Sequence, residues 1–138
     1  MLPILHAVQN AIGYIPKAAQ HLIAEALTLS RAEVHGVISF YHSFRTAPAG
    51  KHVIQICRAE SCQAMGSRSL EKHAKHALKV DYGQNTSDGQ FTLQAVYCLG
   101  NCACSPSLRV GDQIYSHMDI EQFDRLIDQL NTEPVQVT

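Results

Sequence analysis

The sequence predicts an α/β protein, with a helical N-terminal region followed by a small sheet that has helices packed against it. Three observations carry this. Before residue 47 the apolar residues recur at helical spacing, and after residue 50 short β-rich runs appear. Between them lies a break, Ala47-Pro48-Ala49-Gly50, with the composition of a linker. We therefore expect an N-terminal α-helical region over 1–48 and a second domain over 49–138. A chain of 138 residues, 46% of them hydrophobic, is long enough for one compact domain with a small appendage and too apolar to be disordered.

Taken in order, Leu5, Val8 and Ile12 share one face of a first helix that stops at Gly13. Pro16 is placed to open a second helix, whose apolar stripe is Ala19, Leu22, Ile23 and Ala26. Ser30 and Glu33 form a capping box for a third, with Val34, Val37, Ile38 and Tyr41 as its stripe. After the break, His52–Ile56 reads as a buried strand running into Cys57. One helix is expected from Cys62 to Lys79, with Leu70, Ala74, Ala77 and Leu78 facing inward. A polar loop over Asp81–Gly89 leads to a strand in which Phe91, Leu93, Ala95 and Tyr97 alternate up to Cys98. Leu108–Val110 and Gln113–Tyr115 flank Gly111-Asp112, a two-residue hairpin turn. Asp119 caps a last helix with the stripe Phe123, Leu126, Ile127 and Leu130, and Thr132–Thr138 reads as a frayed tail.

Composition removes several functions. The formal charge is -1 and nucleic-acid binding needs clustered Lys and Arg, so there is no electrostatic case for nucleic acid. The stretch Leu29–Val37 resembles a helix-turn-helix fragment, but so few basic residues lie near it that a packing face accounts for it better. No apolar run approaches the roughly 20 residues that span a bilayer, so no membrane insertion is expected. Met1–His6 lacks the basic start of a secretory signal. The expected location is the cytoplasm. There is no Gly-rich nucleotide fingerprint and no nucleophile–base motif, so the chain alone is expected neither to bind NAD nor to catalyse a reaction.

The chemistry lies in five cysteines. An odd number, in a chain without an export signal, argues against a disulfide framework. Cys57 and Cys62 enclose four residues, and Cys98 and Cys102 enclose three, each pair at the end of an expected strand. Two pairs of thiolates suit a diiron cluster, in which each iron takes two protein sulfurs and two bridging sulfides. Cys62 sits where a helix would begin, which favours thiolate over thiol. Ser61 and Ser105 are candidates to hydrogen-bond the sulfurs, and Gly100 lets the second loop turn tightly. Structural zinc on four thiolates is the alternative, followed by buried inert cysteines. A cluster with two histidine ligands is disfavoured, because neither loop contains histidine, and the Cys-x-x-Cys of a thioredoxin-type catalyst is absent. His73 and His76 lie one helical turn apart, and we expect them on the wet side of their helix rather than on a metal.

Cys57-x4-Cys62, then Cys98-Leu99-Gly100-x-Cys102 and Pro106, resembles the small thioredoxin-like [2Fe–2S] subunits of NADH-linked complexes. Gly13-Tyr14-Ile15-Pro16 and the stretch Glu33–Tyr41 resemble that family's N-terminal helical region. The resemblance implies a thioredoxin-like [2Fe–2S] ferredoxin domain, with one cluster on Cys57, Cys62, Cys98 and Cys102. Cys104 is one thiol beyond those four. Within the family, Cys57-Arg58-Ala59-Glu60-Ser61-Cys62 and Cys98-Leu99-Gly100-Asn101-Cys102-Ala103-Cys104 are most similar to the gamma subunit of NAD-dependent formate dehydrogenases. That implies electron transfer beside a flavin (FMN)- and NAD-binding subunit, in a complex with a molybdenum-containing catalytic subunit. The equivalent subunit of respiratory complex I or of an NAD-linked hydrogenase is the nearest alternative, and a zinc-stabilised binding module is the alternative of another class.

Overall fold

A computed structural model of the chain describes residues 1–132. The chain divides into two compact units, Met1–Ala49 and the part that starts at Gly50.

The first unit holds three helices, α1 (Leu2–Ile12), α2 (Lys17–Leu27) and α3 (Arg31–Phe40). Leu5, Ile15, Ile23, Ala24, Val34, Ile38 and Phe44 form its core. The capping box at Ser30 and Glu33 is present, with the Glu33 amide donating to Ser30 Oγ and the Ser30 amide to Glu33 Oε2. The α2 stripe is rotated by one residue from the expected one: Leu22 is 64% exposed and Ala26 lies outside, while Ile23 and Ala24 are buried. Pro16 serves as the N-cap rather than the first helical residue. Ile12 is likewise exposed, at the last turn of α1. After α3 the chain is tied back to α1 through Gln9, whose side chain donates to Ser43 O and accepts from the Arg45 amide, both at 2.8 Å.

The second unit contains β1 (His52–Cys57), α4 (Glu60–Ala64), α5 (Ser67–Leu78), β2 (Phe91–Val96), β3 (Leu108–Val110), β4 (Gln113–Tyr115) and α6 (Ile120–Thr132). The four strands form one sheet in the order β2-β1-β3-β4. β1 and β2 are parallel, and β3 runs antiparallel to both β1 and β4. Ile54, Ile56, Phe91, Leu93, Leu108 and Val110 from the sheet pack with Leu70 and Ala74 of α5 and Phe123, Leu126 and Leu130 of α6 in one core. Burying an aliphatic side chain of this size contributes roughly 1.5–3 kcal/mol, so this cluster is the main source of the unit's stability. On the other side, Gln55 hydrogen-bonds Gln94 at 3.1 Å and accepts from Arg109 at 2.7 Å, a polar ladder across three strands.

Several local expectations change. The single helix over Cys62–Lys79 is two helices, broken at Met65 and Gly66, where Gly66 has φ 102°. The break turns the chain so that Ser67, 1% exposed, donates its hydroxyl to the Cys57 carbonyl at 2.6 Å. Ala77 faces outward on α5. β2 stops at Val96, so Tyr97 is 70% exposed, while Thr92 is buried because its hydroxyl accepts from the Gly50 amide and donates to Asn85. His73 is half-buried rather than wet: its Nε2 lies 2.7 Å from Asp124 Oδ1 and its ring packs edge-on against Phe123, which pins α5 to α6. Asp119 caps α6 by accepting from the Gln122 amide at 2.7 Å. The expected tail lies, beyond Thr132, outside the described residues. No helix among the described residues is long and apolar enough to cross a membrane.

Candidate metal centre

Parallel pairing decides where the cysteines meet. The register matches Cys57 with Val96, the last residue of each strand, so β1 and β2 end at the same edge of the sheet. Each then opens into a loop that carries one cysteine pair. The loops are stitched together by backbone: the Arg58 amide donates to Val96 O at 2.7 Å and the Cys57 amide to Ser107 O at 3.1 Å.

The first pair is internal. Cys57 closes β1, Cys62 is the third residue of α4, and each is 2% exposed. Burial pushes the Cys57 thiol up, and the neighbouring Cys62 adds to this, while the amides of Ala59 and Leu99 oppose it. The Leu99 amide belongs to the other loop, so Cys57 already senses both.

The second pair is external. Cys98 and Cys102 are exposed, with sulfurs 3.7 Å apart. Gly100 adopts φ 74° between them, a left-handed conformation that side chains disfavour, and its amide donates to Cys98 Sγ at 3.2 Å. Cys102 to Cys104 form a single 3-10 turn. The Asn101 side chain holds the loop down by donating to Ser107 Oγ at 3.0 Å and Ser116 Oγ at 2.8 Å. The Cys102 thiol is raised by hydrogen bonding to Cys98 and by the Cys98 charge, then by burial and by Cys62. The Cys98 sulfur that acts on it is on the same loop, 3.7 Å away.

Two serines bridge the pairs. Ser105 Oγ donates to Cys102 O at 2.8 Å and lies 3.5 Å from Cys62 Sγ. Ser61 Oγ donates to Cys102 O at 3.0 Å and lies 2.9 Å from Ser105 Oγ. Ser105 thus has the expected sulfur neighbour, whereas Ser61 bonds a carbonyl and another hydroxyl. The structural roles of Ser67, Asn101 and Ser107 went unforeseen; a serine inside an apparent helix and an asparagine beside a loop glycine are the only traces they leave in the sequence. Cys104 is half-buried, and its carbonyl accepts from the His117 amide at 2.9 Å and Ser107 Oγ at 3.3 Å.

The donor set fits a binuclear iron centre. Thiolates about 2.3 Å from a tetrahedral metal lie roughly 3.8 Å from each other, and the Cys98 and Cys102 sulfurs already have that spacing at 3.7 Å. The thiols come as two pairs, which is the number that each iron of a [2Fe–2S] rhomb takes from protein.

The sequence pattern of the thioredoxin-like [2Fe-2S] ferredoxin family matches residues 1–131. The chain is 32% identical over 127 residues to NADP-reducing hydrogenase subunit HndA of Solidesulfovibrio fructosivorans, covering 92% of this chain and 74% of that one. It is 33% identical over 124 residues to a subunit of the NADH-quinone oxidoreductase of Escherichia coli (strain K12), covering 90% and 75%. In fold it is similar to an NAD+-reducing [NiFe]-hydrogenase in the H2-reduced state, with a TM-score of 0.80 and 23% identity. That match covers 95% of this chain but only 22% of the hydrogenase chain.

Proposed function

The chain belongs to the thioredoxin-like [2Fe–2S] ferredoxin family, and from that premise we propose that Cys57, Cys62, Cys98 and Cys102 hold its cluster for electron transfer in an NAD-linked oxidoreductase complex. The cofactor is a [2Fe–2S] cluster, which supplies reversible one-electron chemistry when bound. The observation that supports the ligand assignment is the shared edge of β1 and β2, from which both cysteine-bearing loops begin.

The protein's own residues position and tune. Cys57 and Cys62 anchor the buried side, and Cys98 and Cys102 form the side open to a partner. The Gly100 amide on Cys98 favours negative charge on that sulfur, which raises a cluster's potential. Electrons would be exchanged with a flavin- and NAD-binding subunit.

The finer reading is the gamma-type subunit of an NAD-dependent formate dehydrogenase with a molybdenum-containing catalytic subunit. The residues of the two cysteine loops, Arg58-Ala59-Glu60-Ser61 and Leu99-Gly100-Asn101 with the following Ala103-Cys104, support it. The relatives of 32% and 33% identity lend equal support to the corresponding place in a hydrogenase or an NADH-quinone oxidoreductase. Purifying the native complex through a tag on this chain decides between them. Formate-dependent NAD reduction and bound molybdenum are expected; hydrogen-dependent reduction, or neither molybdenum nor formate activity, would reject the formate version. A purified chain with no visible absorption and one bound zinc would reject the cluster reading itself.

A further inference from the structure

Arg58 follows Cys57 directly, and its side chain does not run free into solvent. Its Nε donates to Glu71 Oε2 on α5 at 3.0 Å, with Glu71 only 15% exposed. The guanidinium lies 5.4 Å from the centre of the Tyr82 ring and also interacts with the phenol of Tyr97, the residue before Cys98. Glu71 is held from its other side by Lys75, whose Nζ is 3.3 Å from Oε1 and 4.4 Å from the centre of the same Tyr82 ring. Asp81 occupies Lys75 in turn, at 2.9 Å. An arginine and a carboxylate are thus fixed together beside the first residue of one cysteine loop and the last residue before the other.

We propose that Arg58 and Glu71 tune the cluster's potential in opposite directions, Arg58 raising it and Glu71 lowering it, as positioning residues that never touch the iron. The proposal rests on the ligand assignment above. Reduction adds one electron to the site and neither makes nor breaks a bond, so its free energy responds directly to nearby fixed charge. A cation carried on the residue that follows Cys57 would stabilise the added negative charge, and a carboxylate paired with it would oppose that effect. A mostly buried carboxylate acts through a lower effective dielectric than a surface one, so its field is felt over several ångströms. Pairing Arg58 with Glu71 also offsets most of the cation's effect, which makes the potential sensitive to the loss of either partner.

The test is the midpoint potential of the full-length, cluster-loaded chain, read by visible and EPR titration together with iron content. Arg58→Gln should shift the potential down, Glu71→Gln should shift it up, and the double variant should return close to wild type. Arg58→Lys keeps the charge and should stay near wild type, which loss of mere packing would not predict. Shifts of the same sign in the two single variants, or no shift in either at full iron content, would overturn the proposal. Should Arg58→Gln lose its cluster, Glu71→Gln alone decides, and an unchanged or lowered potential overturns it. The ligand assignment fails separately, if Cys57→Ala keeps the wild-type spectrum.

Discussion

Cys57 and Cys62 are each 2% exposed, whereas Cys98 and Cys102 lie open to solvent, although both pairs serve the same proposed centre. The difference follows from what each loop is attached to. The first loop runs from the central strand β1 into α4 and is held by the buried Ser67 hydroxyl and the Ser107 carbonyl. The second runs from the edge strand β2 into a loop held by the Asn101 side chain and a 3-10 turn. An electron carrier needs both: a side that resists solvent and motion, and a side that a partner can approach. The comparison teaches that the buried pair should matter to the fold and the exposed pair mainly to the cofactor.

The largest expected effect tests that division directly. Alanine at any of Cys57, Cys62, Cys98 or Cys102 should abolish the [2Fe–2S] spectrum. In the metal-free chain, however, Cys57→Ala and Cys62→Ala should lower the thermal midpoint, while Cys98→Ala and Cys102→Ala should leave it unchanged. Equal destabilisation by both pairs would break the comparison. Next comes Ser67→Ala, which strands the buried Cys57 carbonyl and should cost about 1–3 kcal/mol in denaturant unfolding. Gly100→Ala forces a side chain into a left-handed conformation, and should cost roughly 1–2 kcal/mol of loop stability, seen as faster cluster loss to a chelator. Ser105→Ala removes the hydroxyl that donates to Cys102 O, and should keep its cluster but lose it somewhat faster to a chelator. The smallest effect belongs to Cys104→Ala, which should retain both the iron content and the EPR signal of the wild type. Loss of the cluster there, with retention in Cys102→Ala, would exchange the two ligands.

Much of the architecture was legible. The period change after residue 50, the capping box at Ser30, the Gly111-Asp112 hairpin and the pairing of Asp119 with α6 all follow from local residue chemistry, and each is present. The failures share one cause. Leu22 and Ile23, or Tyr97 and Thr92, differ little in local preference; their exposure is decided by which neighbour packs against them. The break at Gly66 is similar, since nothing nearby shows that Ser67 is drawn to a strand end ten residues earlier. For the site, the cysteine spacing could identify the pairs but not their unequal burial, because that depends on strand order, with β1 central and β2 at the edge.

The parallel pairing of β1 with β2 also has a bearing on how the protein is made. At roughly 5–20 residues per second, Cys62 is added to the chain seconds before Cys98. Meanwhile β1 has neither of its neighbours, because β2 and β3 both come later in the chain. The Cys57 amide must wait longer still for the Ser107 carbonyl. Cys57, at the end of an unpaired strand, and Cys62, just beyond it, are thus without the other pair during synthesis. The finished protein hides those two most deeply, so any iron delivered before β2 docks would meet only half of its ligands.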